Sequence, residues 1–242
     1  DRIQRDPFMR SGQALPARAD DANALQFVGC GAPLAGHQVR IVGATGFELG
    51  ERQEGRLEFK GPSSTSGYFR NAEETRKLFD GEWLDTGDYA YLVGGEIYLT
   101  GRVKDLIIRG GRNIYPYELE QAVGDIPGVR RGCVAVFGNA DPASGTERLV
   151  VLAETRATDA AAREKLRRAI NDRAVDLLGM PADDVVLAPP HTVLKTSSGK
   201  IRRAASREFY ARGGQSTRPA PVWWQFTRLA WAGALPQLRR FR

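Results

Sequence analysis

Residues 101–120 constrain the fold more than any other stretch of the sequence. A charged segment leads into an apolar run at residues 106–108, which is followed by Gly110 and Gly111 and then by Tyr115 and Pro116. Short apolar runs that end at turn residues are typical of strands. Proline favours the first position of a helix, where its missing N–H costs nothing. The stretch therefore predicts a strand, a turn and the start of a helix.

Two further stretches carry chemistry-bearing side chains. Residues 83–88 place Asp88 just before a predicted hairpin, and residues 194–203 place Lys200 in a turn rich in serine and glycine. Alone, each of these is typical of a solvated surface loop. In this order and at this spacing, all three stretches resemble the carboxy-terminal motifs of the adenylate-forming superfamily, which includes acyl-CoA synthetases, fatty acyl-AMP ligases and luciferases. The resemblance covers most of residues 25–210.

The resemblance implies that a large amino-terminal part of such a ligase precedes this sequence. The superfamily's phosphate-binding loop is not found. Residues 61–68 are rich in glycine and hydroxyl side chains, but they lack the lysine and the following helix of a phosphate loop, so we interpret them as a strand-to-helix connection. Within residues 1–60, Arg5-Asp6 and residues 29–36 resemble fatty acyl-AMP ligases more closely, whereas residues 110–118 suit CoA ligases equally well.

The predicted fold class is α+β, and three regions are expected. Residues 1–103 would be the end of the large domain, an antiparallel β-barrel remnant. Residues 104–212 would be a small mobile α+β domain of a normal size. Residues 213–242 would be a basic aromatic linker or tail.

Apolar periodicity and turn signals predict the individual elements. Residues 1–26 show no clear period and read as an irregular lead-in. Asn71 is the expected N-cap of a short helix over residues 72–79. The predicted strands are 39–42, 56–60, a hairpin of 89–92 with 96–99, then 132–138, 148–154 and 185–188; the predicted later helices are 116–123, 158–178 and 200–210.

The net charge of +6 lies in the tail, because residues 211–242 contain six arginines and no acidic residue. The remainder is neutral, which argues against a nucleic-acid-binding surface. Trp223, Phe226 and Leu229 approximate one apolar face, so residues 222–242 are interpreted either as a membrane-contacting segment or as a connector to another domain. Both interpretations remain open.

The remaining composition excludes several classes of site. Cys30 and Cys133 lie far apart without metal-type spacing, which predicts two reduced, partly buried thiols and no metal site. His37 and His191 are the only histidines, and neither has the context of a catalytic triad. No stretch resembles a signal peptide or is apolar enough to span a bilayer. A cytoplasmic protein is predicted, peripheral at the membrane if the tail binds lipid.

The resemblance also assigns roles to individual residues. Asp88 would accept hydrogen bonds from the ribose hydroxyls, and Arg102 would contact ribose or phosphate. Lys200 would bring positive charge to the carboxylate and the α-phosphate, because an ammonium on a flexible stem can reach both. Lys104 would be the residue about which the small domain rotates. The plainer alternatives are a turn aspartate, a surface ion pair of Arg102 with Asp105, and a helix-start lysine.

Gly110 and Gly111 would approach the acyl-adenylate near the pantetheine thiol during transfer, although two glycines also simply make a hairpin. The implied reaction joins a fatty acid to AMP, using ATP with Mg²⁺, and then moves the acyl group to the phosphopantetheine of an acyl carrier protein or to CoA. The chain by itself is expected to be inactive in adenylation. The alternative is a free-standing module that docks a carrier protein or complements a separate adenylation domain.

Overall fold

The computed structural model describes residues 1–141 and 145–213. The helices are α1 (Arg5–Ser11), α2 (Ala72–Leu78), α3 (Pro116–Gly124), α4 (Ala160–Leu178) and α5 (Arg203–Ala211). The strands are β1 (Arg2–Ile3), β2 (Leu25–Gln26), β3 (Gln38–Val42), β4 (Gly55–Lys60), β5 (Phe79–Asp80), β6 (Trp83–Val93), β7 (Glu96–Arg102), β8 (Ile107–Arg109), β9 (Arg112–Ile114), β10 (Val129–Asp141), β11 (Thr146–Thr155) and β12 (Asp184–Ala188). A 3-10 helix, Val103–Asp105, follows β7.

The first half of the chain is built on a five-stranded antiparallel sheet. Its strands run in the order β3-β4-β6-β5, with β7 also paired to β6. Ile41, Leu57 and Ala90 form its buried core. The prediction of antiparallel sheets is therefore confirmed. Within the described residues the sheet does not close into a barrel, so the barrel remnant remains a prediction.

Residues 1–26 are ordered, so the expectation of an irregular lead-in is wrong. The segment contains α1 and the two-stranded pairing of β1 with β2. Ile3 and Phe8 are completely buried. Helix α1 is too short to show the apolar period that predicts longer helices. It ends at Gly12, whose φ of 68° is a left-handed C-cap conformation.

The second half is a three-stranded sheet with helices on both faces. Strand β11 pairs antiparallel with β10 and parallel with β12. Because successive side chains of a strand point to opposite faces, Val134 and Val136 pack among α3 and α4, while Ala135 and Phe137 pack towards α5. The strands and helices predicted here are confirmed with shifts of a few residues at their ends.

Helix α5 begins at Arg203, not at Lys200 as predicted. Lys195 pairs with Ile201 across a short hairpin, and the carbonyl of Lys200 accepts a hydrogen bond of 2.9 Å from the N–H of Thr196. The backbone from 194 to 202 therefore forms the hairpin, and the helix can start only after it. A serine- and glycine-rich turn followed by basic residues does not mark that boundary in the sequence.

None of the described helices is long and apolar enough to cross a bilayer. The segment 222–242, for which membrane contact is predicted, lies outside the described residues. Cys133 is buried as expected, whereas Cys30 is exposed rather than partly buried; both are free thiols.

The N-cap of α4 gives a first test. The Asp159 carboxylate accepts a hydrogen bond of 2.7 Å from the N–H of Ala162. Asp159→Ala removes that acceptor and should lower the free energy of unfolding by about 1 kcal/mol. Urea denaturation monitored by circular dichroism measures the change. Asp172→Ala, an exposed aspartate inside the same helix, is the control and should cause no loss; equal effects of both changes would contradict the capping role.

Candidate functional site

Asp88 and Arg102 face each other on adjacent strands. They are directly paired in the register of β6 with β7, and Arg102 Nε lies 3.3 Å from Asp88 Oδ1. The Asp88 side chain is 27% exposed and that of Arg102 is 57% exposed. The hairpin predicted from the sequence therefore brings these two residues together. An ion pair that is partly exposed to solvent contributes little to stability. Both side chains therefore remain available to a polar ligand.

A tight turn inside β6 positions Asp88. Gly87 has a φ of 73°, a left-handed conformation that glycine adopts without strain. Its N–H donates to Asp85 Oδ1 at 2.7 Å. Thr86 Oγ1 accepts a hydrogen bond of 3.1 Å from the N–H of Asp88 and donates one of 2.9 Å to the carbonyl of Leu57. The side chains of Asp85 and Thr86 therefore stabilise the backbone turn, and the Asp88 carboxylate lies beside Arg102.

Lys200 directly follows the turn of the exposed hairpin 194–202. Its backbone N–H donates to Thr196 Oγ1 at 3.1 Å, and Gly199 supplies the left-handed turn with a φ of 81°. Within residues 1–141 and 145–213, the Lys200 ammonium makes no ion pair. A solvated cation at this position is free to approach an anion. This agrees with the role predicted from the resemblance and does not by itself test it.

Arg203 connects the Lys200 hairpin to the segment that contains Lys104. Its guanidinium donates to Asp105 Oδ2 at 2.8 Å, and to both Glu120 oxygens at 2.8 and 2.6 Å. Asp105 belongs to the 3-10 helix that follows Arg102, and Lys104 is exposed in the same short helix. The start of α5 is thus fixed to the end of β7 and to α3. Sequence reasoning did not identify this network, because its members are far apart in the chain.

Gly110 and Gly111 form the turn of the β8–β9 hairpin. Both have left-handed backbones, with φ values of 57° and 70°, and a Cβ added at either position would meet nothing within 4 Å. The strands on each side are anchored, since Arg109 Nη2 donates to Asp183 Oδ1 at 2.6 Å and Arg112 Nη1 donates to the carbonyl of Leu178 at 3.1 Å. The tip of the turn therefore has open space around it, while the two strands that carry it are anchored.

Glu54 is a second residue that sequence reasoning missed. Its Oε2 accepts a hydrogen bond of 2.5 Å from the hydroxyl of Tyr115, and its Oε1 accepts one from Thr100. Burial raises the pKa of the Glu54 carboxyl against the effect of these two hydrogen bonds. Burial also raises the pKa of Tyr115, and the negative charge of Glu54 raises it further. Glu54 lies in a polar loop whose sequence gives no sign of this pairing.

A surface cleft lies elsewhere, beside β4 and β5. It has a volume of about 460 Å³ and is lined by residues that include Lys60, Pro62, Phe79 and Glu82. None of the residues predicted to bind nucleotide lines it. The loop at residues 61–64 forms part of its wall, which agrees with the interpretation of residues 61–68 as a connection between β4 and α2.

Two proteins with established names are similar to this chain in sequence. A protein of Caulobacter vibrioides named as an acyl-CoA synthetase is 40% identical over 215 residues, which are 88% of this chain and 36% of the relative. The long-chain-fatty-acid–AMP ligase FadD26 of Mycobacterium marinum is 34% identical over 225 residues, covering 85% of this chain and 38% of the relative. The chain belongs to the adenylate-forming superfamily. It spans a little over a third of the length of these relatives. No protein-family model matches the chain.

Solved structures of adenylate-forming enzymes share the fold. In a study of fatty acyl-adenylate ligases from E. coli and L. pneumophila, the matching structure has a TM-score of 0.77 and 34% identity, covering 88% of this chain and 38% of that one. McyG A-PCP in complex with phenylalanyl-adenylate has a TM-score of 0.70 and 32% identity over 79% of this chain and 35% of that one. ATP-bound MatB from Rhodopseudomonas palustris has a TM-score of 0.61 and 27% identity over 75% of this chain and 35% of that one.

The titration of Glu54 gives a second test. Because the folded state raises its pKa, the ionised carboxylate destabilises the fold above that pKa, and the penalty disappears as the pH falls towards the unfolded value of about 4.3. Glu54→Gln removes this titration. The stability of the wild type relative to Glu54→Gln should therefore increase on acidification across that window. Urea unfolding of both proteins at several pH values measures it, and a difference that stays constant or shrinks on acidification would contradict a raised pKa.

Proposed function

We propose that this chain supplies the nucleotide-binding edge and the catalytic lysine of an ATP-dependent fatty acid adenylating ligase. The observation that carries the proposal is the connection described above. Asp88 and Arg102 form an accessible pair. Arg203 fixes the 3-10 helix after Arg102 to the start of α5, and Lys200, which precedes α5, makes no ion pair with any described residue. A ligand acceptor, a guanidinium and a free ammonium are thereby held on one continuous framework.

Asp88 is the proposed ribose anchor. A carboxylate can accept hydrogen bonds from two neighbouring hydroxyls at once, and the Asp88 side chain, beside the backbone turn at Gly87, is partly exposed. Arg102, already beside it, would contact the ribose or a phosphate oxygen. Binding both groups fixes the orientation of the nucleotide relative to the attacking carboxylate, which is where positioning lowers an activation barrier.

Lys200 is the proposed catalytic residue of adenylation. When the fatty acid carboxylate attacks the α-phosphate, negative charge accumulates on the phosphoryl oxygens as pyrophosphate leaves. An ammonium near these atoms stabilises that charge more strongly than the charge of the separate reactants. The exposed hairpin presents Lys200 without a competing carboxylate in the described part of the chain. ATP-bound MatB supports the use of ATP by related proteins.

The described residues do not themselves form a metal site. They contain no group of three or more histidine, cysteine, aspartate or glutamate side chains able to hold an ion. The Mg²⁺ that accompanies ATP would be held mainly by the nucleotide phosphates, together with one or two carboxylates.

The second half-reaction is proposed to follow rotation of residues 104–212 about Lys104. The turn at Gly110 and Gly111 would then approach the acyl-adenylate, and a phosphopantetheine thiol would attack the acyl carbonyl and release AMP. An acyl carrier protein is the favoured acceptor, with CoA as the alternative. The names of the relatives support both, since one is named as an acyl-CoA synthetase and another as a fatty-acid–AMP ligase; a carrier-protein domain also occurs in the McyG structure.

The remaining parts of the proposal concern organisation. Residues 1–103 would belong to the large domain of the ligase, residues 104–212 to the mobile domain, and residues 213–242 to a linker or tail. By itself the chain is proposed to be inactive, because the acyl pocket and phosphate loop are expected elsewhere. A cytoplasmic location, with membrane contact through residues 222–242, completes the proposal.

A chimera tests the role of Lys200. Residues 1–242 replace the aligned part of the E. coli fatty acyl-adenylate ligase, and acyl-AMP formation is measured by pyrophosphate release with a long-chain fatty acid. Lys200→Ala should lower kcat for adenylation by at least about 100-fold, because it removes charge stabilisation at the transition state. Lys195→Ala is the matched control, because it removes an exposed lysine from the same hairpin, and it should change kcat by less than about threefold.

Three results would contradict the proposal. Equal losses in the two lysine variants would remove the specific role of Lys200. Fatty-acid-dependent ATP–pyrophosphate exchange by the isolated 242-residue chain, abolished by Lys200→Ala, would show that the chain is active alone. A chimera that folds and binds carrier protein but never forms acyl-AMP would favour the alternative of a docking module.

A further inference from the structure

Arg5 of helix α1 makes a two-pronged ion pair with Glu118 of helix α3. Its Nη1 and Nη2 atoms donate to the two Glu118 oxygens at 2.7 and 2.5 Å, although 113 residues separate the partners. Its Nε donates to the carbonyl and the side chain of Asn23 at 3.0 and 2.9 Å. The Arg5 side chain is only 7% exposed. The Glu118 side chain is 35% exposed, so the buried member of the pair is Arg5. Two parallel hydrogen bonds between a guanidinium and a carboxylate define the geometry of the pair as well as strengthening it.

Apolar contacts extend the same interface. Met9 of α1 belongs to the buried cluster that contains Ile107 and Ile114 of the β8–β9 hairpin. Phe8 stacks on Tyr115, with ring centroids 5.5 Å apart and planes inclined by 27°. Tyr115 in turn donates its hydroxyl to Glu54. Helix α1 and Glu54 therefore hold the β8–β9 hairpin and the first turn of α3 from the other side of Lys104.

These contacts oppose a rotation about Lys104. Arg5, Phe8, Met9 and Glu54 precede Lys104 in the chain, whereas the partners that a rotation would move, Glu118, Tyr115 and the β8–β9 hairpin, follow it. A large rotation of residues 104–212 must separate each pair and leave the buried guanidinium of Arg5 without its carboxylate. Removing one partner of a buried ion pair is strongly unfavourable. The state described by the structure is therefore held by specific contacts, and not by the connecting segment alone.

We propose that Arg5, Met9 and Glu54, through Glu118, Ile114 and Tyr115, form a clamp that positions the Gly110–Gly111 turn and sets how often the small domain is released. The clamp deepens the proposed function, because the movement that it restrains is the proposed rotation about Lys104. Arg5 and Glu118 act as positioning residues: neither is assigned contact with nucleotide or acid. Release would require an exchange of the Arg5–Glu118 pair for new contacts in the rotated state.

Distances between two spin labels test the clamp in the 242-residue chain without any substrate. Cys30 is exposed and accepts one label, Asp172→Cys on the outer side of α4 accepts the second, and Cys133 is buried. With Arg5 intact, pulsed electron resonance should give one dominant distance. Arg5→Met or Glu118→Gln should raise the population at a second distance by at least about tenfold, since each removes one partner of the pair. Arg18→Met, which removes the fully exposed Arg18–Asp20 pair, should leave the distribution unchanged.

Hydrogen exchange separates release of the clamp from loss of the fold. In Arg5→Met, amides of α1 and the β8–β9 hairpin should exchange faster, while amides of β10 and β11 keep their protection. The double variant Arg5→Met/Glu118→Gln should release no more than either single variant, because the two side chains act as one unit. Distance distributions for Arg5→Met and Glu118→Gln that match Arg18→Met would overturn the clamp, as would faster exchange spread equally over β10 and β11. Neither measurement uses adenylation, so failure of the ligase proposal would show separately in the chimera.

Discussion

The guanidinium of Arg203 is the interaction on which the site depends. It reaches Asp105 beside Lys104 and both oxygens of Glu120, and Glu120 also accepts the N–H of Val136 in β10 at 3.0 Å. One side chain therefore fixes the start of α5 to the connecting segment, to α3 and to the central sheet. Lys200 precedes this anchor in an exposed hairpin, so its ammonium faces solvent while the end of the hairpin is fixed. The proposed catalytic role would use both properties, since positioning lowers the barrier and reach lets a lysine contact more than one group.

The same segment is restrained from two sides. Arg203 holds it from the small-domain side, and α1 holds the β8–β9 hairpin from the other side through Arg5 and Met9. Lys104 lies between these attachments and is itself exposed without a side-chain partner among the described residues. A hinge requires a short flexible element between two rigid bodies. Under the proposed rotation, residues 103–105 would be that element, and the contacts of Arg5, Met9 and Glu54 would have to be exchanged when it moves.

Much of the fold follows from local patterns. The β6–β7 hairpin was predicted from Gly94 and Gly95 between alternating residues, and it brought Asp88 opposite Arg102 without further information. Helix α4 was visible from its period and its length. Helix α1 was not, because it is short and its burial is created by Tyr91, Tyr115 and Glu118, all distant in sequence. The sequence places the start of α5 at Lys200, three residues too early. The residues from 200 to 202 also suit a helix, but they belong to the hairpin that is hydrogen-bonded through Thr196. The Glu54–Tyr115 and Arg203 contacts are long-range pairings, which a single sequence does not encode as a pattern.

Similarity to acyl-CoA synthetases and fatty-acid–AMP ligases places the chain in a superfamily. Because the chain spans only 36–38% of the length of these relatives, the proposed activity has to be tested on the native polypeptide. The most direct measurement is to isolate that polypeptide from its source cells with an antibody against residues 104–210 and to incubate it with ATP and a long-chain fatty acid. The account predicts a band much heavier than 26.6 kDa that forms fatty acyl-AMP. A heavier polypeptide that forms no adenylate, or a 26.6 kDa polypeptide that forms it alone, would contradict the account.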